Sequence, residues 1–294
     1  MAQEERRTPE RPSGVPPLHQ YEGVIVDLDG CVWIGPQPIA GAAEALERLR
    51  AAGKRVVFAT NDPRGSVESY VHRLWRAGVR VSADDVVTVG LALERYLSDR
   101  LAAGERWRTA LVVGAEQLAR HAAAAGLVPI SPLAPDVDER RIDVVIVGGG
   151  SEVTFEHLRR ATVALHNGAA MIGTGRDPTY PHPSGPMPGS GAFVALLEYA
   201  SGRRATIVGK PEPLIFEMAR ERLGPVTSVL AIGDRLDADV LGAHRAGLPA
   251  ALVLSGSTSE RELAQWRHEA QPVAVAASLA ELVDSAIGAG SDGT

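Results

Sequence analysis

The chain has 294 residues, 45% of them apolar and 22% charged, enough for a buried core and one or two domains in an ordinary globular protein. Its formal net charge of -6, the absence of a long basic run and an aromatic content of only 4% exclude nucleic acid as a partner, since neither phosphate neutralisation nor base stacking is provided for. A lone cysteine, Cys31, rules out an internal disulfide and fits a reducing cytoplasm, while no apolar run is long enough to cross a membrane.

In chain order, residues 1–17 are charged and proline-rich without the apolar stretch of a signal peptide, and read as a disordered arm. Apolar runs at 24–28, 55–59, 110–113, 143–147, 170–172, 205–208, 228–232 and 250–254 read as strands. Several are continuous instead of alternating, as in parallel strands covered on both faces. Between them, 42–52, 66–77 and 154–167 have helical patterns, followed by Gly53, Gly78 and Gly168 as C-terminal caps. Repeated strand–helix alternation predicts a doubly wound α/β fold with a parallel sheet. The stretch 178–188 is long, irregular and rich in proline and glycine, a loop of the kind that carries function. No internal repeat is visible, and 289–294 reads as a flexible tail.

Four segments carry chemistry. The first strand ends in Asp27-Leu28-Asp29-Gly30. Two carboxylates at the C-terminal end of a buried strand either hold a hard divalent cation or form an acidic turn. The second ends in Thr60-Asn61-Asp62 ahead of Ser66, which is either a phosphate cradle before a helix N-terminus or a capped turn. Lys210, in Gly209-Lys210-Pro211, is either a charge partner or an exposed lysine; Pro211 excludes a Walker A loop. The fourth, Gly233-Asp234-Arg235-Leu236-Asp237-Ala238-Asp239, ends another buried strand in a carboxylate. There Asp237 is a candidate helix cap, and Asp239 is placed to orient Lys210 or a metal-bound water.

In this order the segments resemble the haloacid dehalogenase superfamily of phosphatases, over about 21–286. Asp27-Leu28-Asp29-Gly30 with Trp33-Ile34-Gly35 is similar to the NagD, phosphoglycolate and 4-nitrophenyl phosphatase group. So are Gly173-Thr174-Gly175-Arg176-Asp177-Pro178 and Pro188-Gly189-Ser190-Gly191. The resemblance implies a core of 18–103 and 206–288 around an inserted α/β cap of the C2 type, 104–205, and a homodimer formed through that cap. It implies that Asp27 is the nucleophile, Asp29 the general acid and base, and Lys210 the charge partner. Magnesium would be held by Asp27, Asp29 through its backbone carbonyl, and Asp234, with Asp239 behind them. Thr60 and Asn61 would bind phosphate, and Arg176, Asp177 and His182 of the cap loop would meet the substrate, a small phosphorylated metabolite.

Three positions depart from the family pattern. Asp62 adds a carboxylate beside the phosphate site, Gly175 replaces an asparagine, and Cys31 replaces a threonine or valine. The rival readings are a phosphotransferase or mutase on the same fold and a non-catalytic phosphate-binding protein. A dinucleotide site at Gly148-Gly149-Gly150 lacks the last glycine of the required spacing, because Val153 stands there.

Overall fold

The computed structural model describes residues 18–180 and 184–288; the expected arm 1–17 and tail 289–294 lie outside them. The chain opens with β1 (Gly23–Val26), buried throughout. There follow a small hairpin of β2 (Trp33–Ile34) and β3 (Gln37–Pro38), then α1 (Ala42–Ala51), β4 (Arg55–Thr60), α2 (Val67–Arg76), β5 (Val86–Thr88) and α3 (Val89–Ala102). A second unit runs through β6 (Thr109–Gly114), α4 (Glu116–Ala124), β7 (Val128–Ile130), β8 (Val144–Gly149), α5 (Phe155–His166) and β9 (Ala170–Gly173). It continues with a hairpin of β10 (Thr179–Tyr180) and β11 (Met187–Pro188), then α6 (Ser190–Ser201) and β12 (Thr206–Ile207). The chain then returns through α7 (Leu214–Leu223), β13 (Val229–Gly233), a π-helical turn at Leu236–Val240, α8 (Leu241–Arg245), β14 (Ala250–Val253), α9 (Glu260–Gln265), β15 (Ala274–Ala276) and α10 (Leu279–Gly288).

The first and last parts share one six-stranded parallel sheet, in the order β15-β14-β13-β1-β4-β5. Both faces are covered, because alternate residues enter different cores: Val24, Val26 and Phe58 pack in one, Ile25, Val57 and Ala231 in the other. The inserted part forms a five-stranded parallel sheet, β12-β9-β8-β6-β7. Its Ala110, Val112, Val144 and Ile146 join the second of those cores, so the two units share apolar contacts. Residues on its opposite face, among them Val145 and Val147, form a third core. Among the described residues no helix is long and apolar enough to cross a membrane.

All eight expected strands form. The other strands of the two parallel sheets, β5, β7 and β15, each have three residues and lie at sheet edges, where a short strand leaves little apolar signal; the remaining four, β2, β3, β10 and β11, are two-residue hairpin strands. The helix caps follow the sequence. Ser66 Oγ accepts from Ser69 N at 3.3 Å, and Gly53, Gly78 and Gly168 have φ of 77°, 90° and 107°, the conformation a helix end demands.

Two expectations are corrected. The second sheet extends through β12 to Ile207, two residues past the expected boundary at 205, because Thr206 and Ile207 pair with Ile172 and Gly173. Lys210 therefore does not sit at a strand end of the first sheet. It lies on the segment that crosses back from the second sheet.

Candidate functional site

The strand order places β1 between β13 and β4, and ligands bind at the carboxyl ends of such strands. Asp27 follows β1, its N–H bonded to Ile232 O at 2.9 Å, and Asp234 follows β13. One carboxylate oxygen from each of Asp27, Asp234 and Asp239 lies within 4.8 Å of the others, all three residues buried. Lys210, only 2% exposed, places Nζ 2.5 Å from Asp27 Oδ1 and 2.7 Å from Asp239 Oδ1. Asp239 thus pairs with Lys210, one of the two groups its spacing could serve. Asp237 is not a helix cap; it pairs with Arg235 at 3.0 Å. Gly30 has φ +83°, and a Cβ there would stand 2.4 Å from Asp234 Oδ2, so only glycine lets this loop close on the cluster.

Burial pushes the Asp27 carboxyl well above its ordinary value; Lys210 opposes the shift, and Asp239 and Asp234 reinforce it. Burial, then Asp239, raises Asp234 as well. For Lys210, burial acts downward, but Asp239 and Asp27 outweigh it and hold the ammonium above its usual range. Three buried carboxylates facing one ammonium carry uncompensated negative charge, which is costly away from water. An all-oxygen donor set of this kind fits magnesium. The Asp29 carboxylate is outside this group: its Oδ1 accepts from Trp33 Nε1 at 3.0 Å. Burial, then the Asp62 carboxylate, pushes Asp29 up to about 6, against Arg73, Arg64 and the Trp33 hydrogen bond.

Asp29 therefore makes metal-free stability depend on pH. Its folded value of about 6 exceeds the ordinary 3.8, so the folded state binds the proton more tightly. The corresponding stabilisation is present below about pH 4 and is lost as pH rises through about 6. Urea melts in EDTA across pH 4–7 are expected to show stability falling with pH. Magnesium at about 100 times its dissociation constant is expected to add ~2.7 kcal/mol at pH 7. Flat EDTA melts and no magnesium effect would contradict this electrostatic account.

Thr60 ends β4, 1% exposed, and its Oγ1 accepts from Asp62 N at 3.1 Å. The Asn61 side chain is fully engaged. Its Oδ1 accepts from Lys210 N at 2.8 Å, while Nδ2 faces Lys210 O at 3.0 Å and Asp177 Oδ2 at 3.2 Å. Asp177 also meets Arg235 Nε at 3.2 Å. It lines the cleft, but its carboxylate ties the second unit to the first. Gly175 explains itself here: a Cβ would lie 2.8 Å from Asp177 Oδ2 and 3.2 Å from Asn61 Nδ2. Asp62 caps its turn through Arg64 N at 3.0 Å and is gripped by the Arg64 guanidinium at 2.7 and 2.9 Å. Arg64 also lies over the Tyr180 ring at 4.5 Å.

Arg176 does not face the cleft as expected. Its guanidinium makes a two-bond pair with Glu198, at 2.8 and 3.0 Å, because that largely buried carboxylate needs a cation. His182 lies outside the described residues. Cys31 is fully buried, and burial with the nearby carboxylates pushes its thiol well above the usual range. The Gly148–Gly150 run is a packing feature: Leu118 and Phe193 occupy the space where Cβ atoms at Gly148 and Gly149 would stand.

Between the units lies a cavity of about 860 Å³, whose lining includes Asp27, Asp29, Thr60, Asn61, Lys210 and Asp234. Trp33, Arg64, Arg73, Tyr180 and Arg235 also line it, none of them assigned a role from sequence. Of these only Trp33 and Arg235 stood within a quoted motif.

The sequence model of the haloacid dehalogenase-like hydrolases matches residues 24–128, and a second, HAD-hydrolase-like model matches 207–282. The chain is 36% identical over 240 residues to the D-glycerol 3-phosphate phosphatase of Mycobacterium tuberculosis; the match spans 82% of this chain and 65%, under two thirds, of that protein. It is 35% identical to chronophin of Homo sapiens over 91% of this chain and 94% of chronophin. The crystal structure of the M. tuberculosis glycerol phosphate phosphatase in complex with magnesium superposes with a TM-score of 0.79 at 33% identity, over 89% of this chain and 76% of that one.

Proposed function

Since the chain belongs to the haloacid dehalogenase-like hydrolases, we propose that it is a magnesium-dependent phosphatase that hydrolyses small phosphate monoesters through a phosphoryl group carried on Asp27. The observation that carries the proposal is the buried convergence of Asp27, Asp234, Asp239 and Lys210 beside Asp29. The similarity to a D-glycerol 3-phosphate phosphatase, which has been crystallised with magnesium, supports it.

Asp27 and Asp234, with the Asp29 backbone carbonyl, would hold magnesium, which would supply charge neutralisation for the phosphoryl oxygens. A carboxylate oxygen of Asp27 forms a bond to phosphorus as the ester P–O bond breaks. Protonated Asp29 gives its proton to the departing alkoxide. Asp29, now ionised, takes a proton from the water that attacks phosphorus; the bond between phosphorus and the Asp27 oxygen breaks, inorganic phosphate leaves, and Asp27 is again ionised and Asp29 again protonated. Lys210 holds Asp27 and balances the anionic phosphoryl group, and Thr60 and the Asn61 backbone N–H bind its oxygens. Asp177, through Asn61 and Arg235, seats the cap over the site and limits water entry.

The unit 104–207 is read as the cap, and the protein as a cytoplasmic homodimer. The exposed apolar side chains of the cap helices, Phe155, Leu196 and Tyr199, support association through that face; sedimentation at a single 31.0 kDa chain would oppose it. The activity itself is tested by phosphate release from 4-nitrophenyl phosphate and glycerol 3-phosphate. Release with magnesium that stops in EDTA is expected. Folded, magnesium-loaded protein that releases nothing from either would favour phosphoryl transfer to another acceptor, or binding alone.

A further inference from the structure

The cavity is larger than a phosphate ester of three carbons requires, and its walls are chemically uneven. An alcohol protonated by Asp29 leaves on the Asp29 side, so the groups around Asp29 see the leaving group. On that side stand Trp33, whose Nε1 holds Asp29 Oδ1 at 3.0 Å, and the Arg73 guanidinium, stacked 3.8 Å over the Trp33 ring. Arg73 also donates to Gly35 O, tying α2 to the β2–β3 hairpin. Arg76 follows one turn later on α2, and both arginines line the cavity.

Charge accounting separates these two from the other cations of the lining. Arg64 is matched by Asp62, Arg235 by Asp177, and Lys210 by Asp27 and Asp239. Among the described residues, Arg73 and Arg76 have no carboxylate within 4.0 Å. Asp62 is already neutralised by Arg64. Arg73 is half-buried and fixed by an aromatic stack and a backbone carbonyl, so little side-chain freedom remains to be lost on binding an anion.

We propose that Arg73 and Arg76 form a second anion subsite, so that the preferred substrates are phosphate monoesters bearing another anionic group on the leaving alcohol. This inference rests on the phosphatase reading above. The phosphoryl group sits at Asp27, the ester oxygen beside Asp29, and the distal anion beyond the Trp33 ring against the two guanidiniums. The distal group is a carboxylate or a second phosphate; a guanidinium accepts either.

The test compares kcat/KM in magnesium for 3-phosphoglycerate, fructose 1,6-bisphosphate and glycerol 3-phosphate. The first two carry a distal carboxylate and a distal phosphate, and the third carries neither. The parent is expected to favour at least one distal anion over glycerol 3-phosphate by about 10-fold or more, the size of a charged hydrogen bond. In Arg73→Gln and in Arg76→Gln that ratio is expected to fall towards one, through KM. The ratio cancels any change in Asp29, on which all three substrates depend, and Arg76→Gln leaves the Trp33 stack intact. A parent without the preference, or variants that retain it, would overturn the subsite while phosphatase activity stands. Turnover of none of the three while 4-nitrophenyl phosphate is hydrolysed would overturn the subsite alone; turnover of none of the four would remove the phosphatase reading and this inference with it.

Discussion

Asp27→Asn is expected to lower turnover by a factor of about 10⁴ or more, equivalent to ~5.4 kcal/mol in the barrier, while leaving the fold intact. The amide keeps the size and hydrogen-bonding reach of the carboxylate but is a far poorer nucleophile towards phosphorus. The fold survives because the substitution relieves the cluster. Asp27 is one of three buried carboxylates facing a single ammonium, and Lys210 retains Asp239 at 2.7 Å. In EDTA the variant should melt at or above the temperature of the parent, with the added stability from magnesium reduced because a ligand has lost its charge. Circular dichroism and thermal melts alongside phosphate release check all three parts. A folded Asp27→Asn protein with near-parental turnover would remove Asp27 from the nucleophile's role.

The second large effect is expected at Lys210. Its Nζ is the cation within 4.0 Å of both Asp27 and Asp239, and the residue is 2% exposed. Lys210→Met removes that charge while leaving the backbone N–H and C=O bonds to Asn61 in place, so the loop keeps its anchor. Buried carboxylates deprived of their partner cost about 3–5 kcal/mol, and this loss should appear in urea melts in EDTA. Magnesium should recover part of it, since it neutralises the same oxygens. Turnover should fall by about 10²–10³-fold, the scale of losing one preorganised electrostatic contact to the reacting group. A metal-free variant as stable as the parent would mean that Lys210 does not balance the cluster.

Much of this was legible in the sequence because buried parallel strands announce themselves as unbroken apolar runs. Val24–Val26 and Val229–Ile232 are such runs, and the carboxylates that follow them, Asp27 and Asp234, fall at the carboxyl ends of adjacent strands. The harder part was long-range. Lys210 read as a strand-end residue, yet it reaches the cluster from the crossover behind β12. Arg176 and Asp177 are neighbours in a conspicuous loop, but one faces Glu198 and the other Asn61 and Arg235. Local sequence does not encode which way successive side chains of an irregular loop will point. Nor does it show that Arg73 and Arg76 of an amphipathic helix line a cleft with Trp33 of a distant hairpin. Gly175 was the reverse case, a departure from the family pattern whose cause is the close approach of Asp177 and Asn61.

The central claim is that the phosphoryl group passes through Asp27, and acid-quenched turnover tests it most directly. Protein mixed with magnesium and 4-nitrophenyl phosphate, quenched in acid within the first turnovers and digested, is expected to carry a phosphoryl group on the peptide containing Asp27, and to carry none in Asp27→Asn. Steady turnover with no phosphorylated peptide at any quench time, or with the phosphoryl group on another residue, would contradict it.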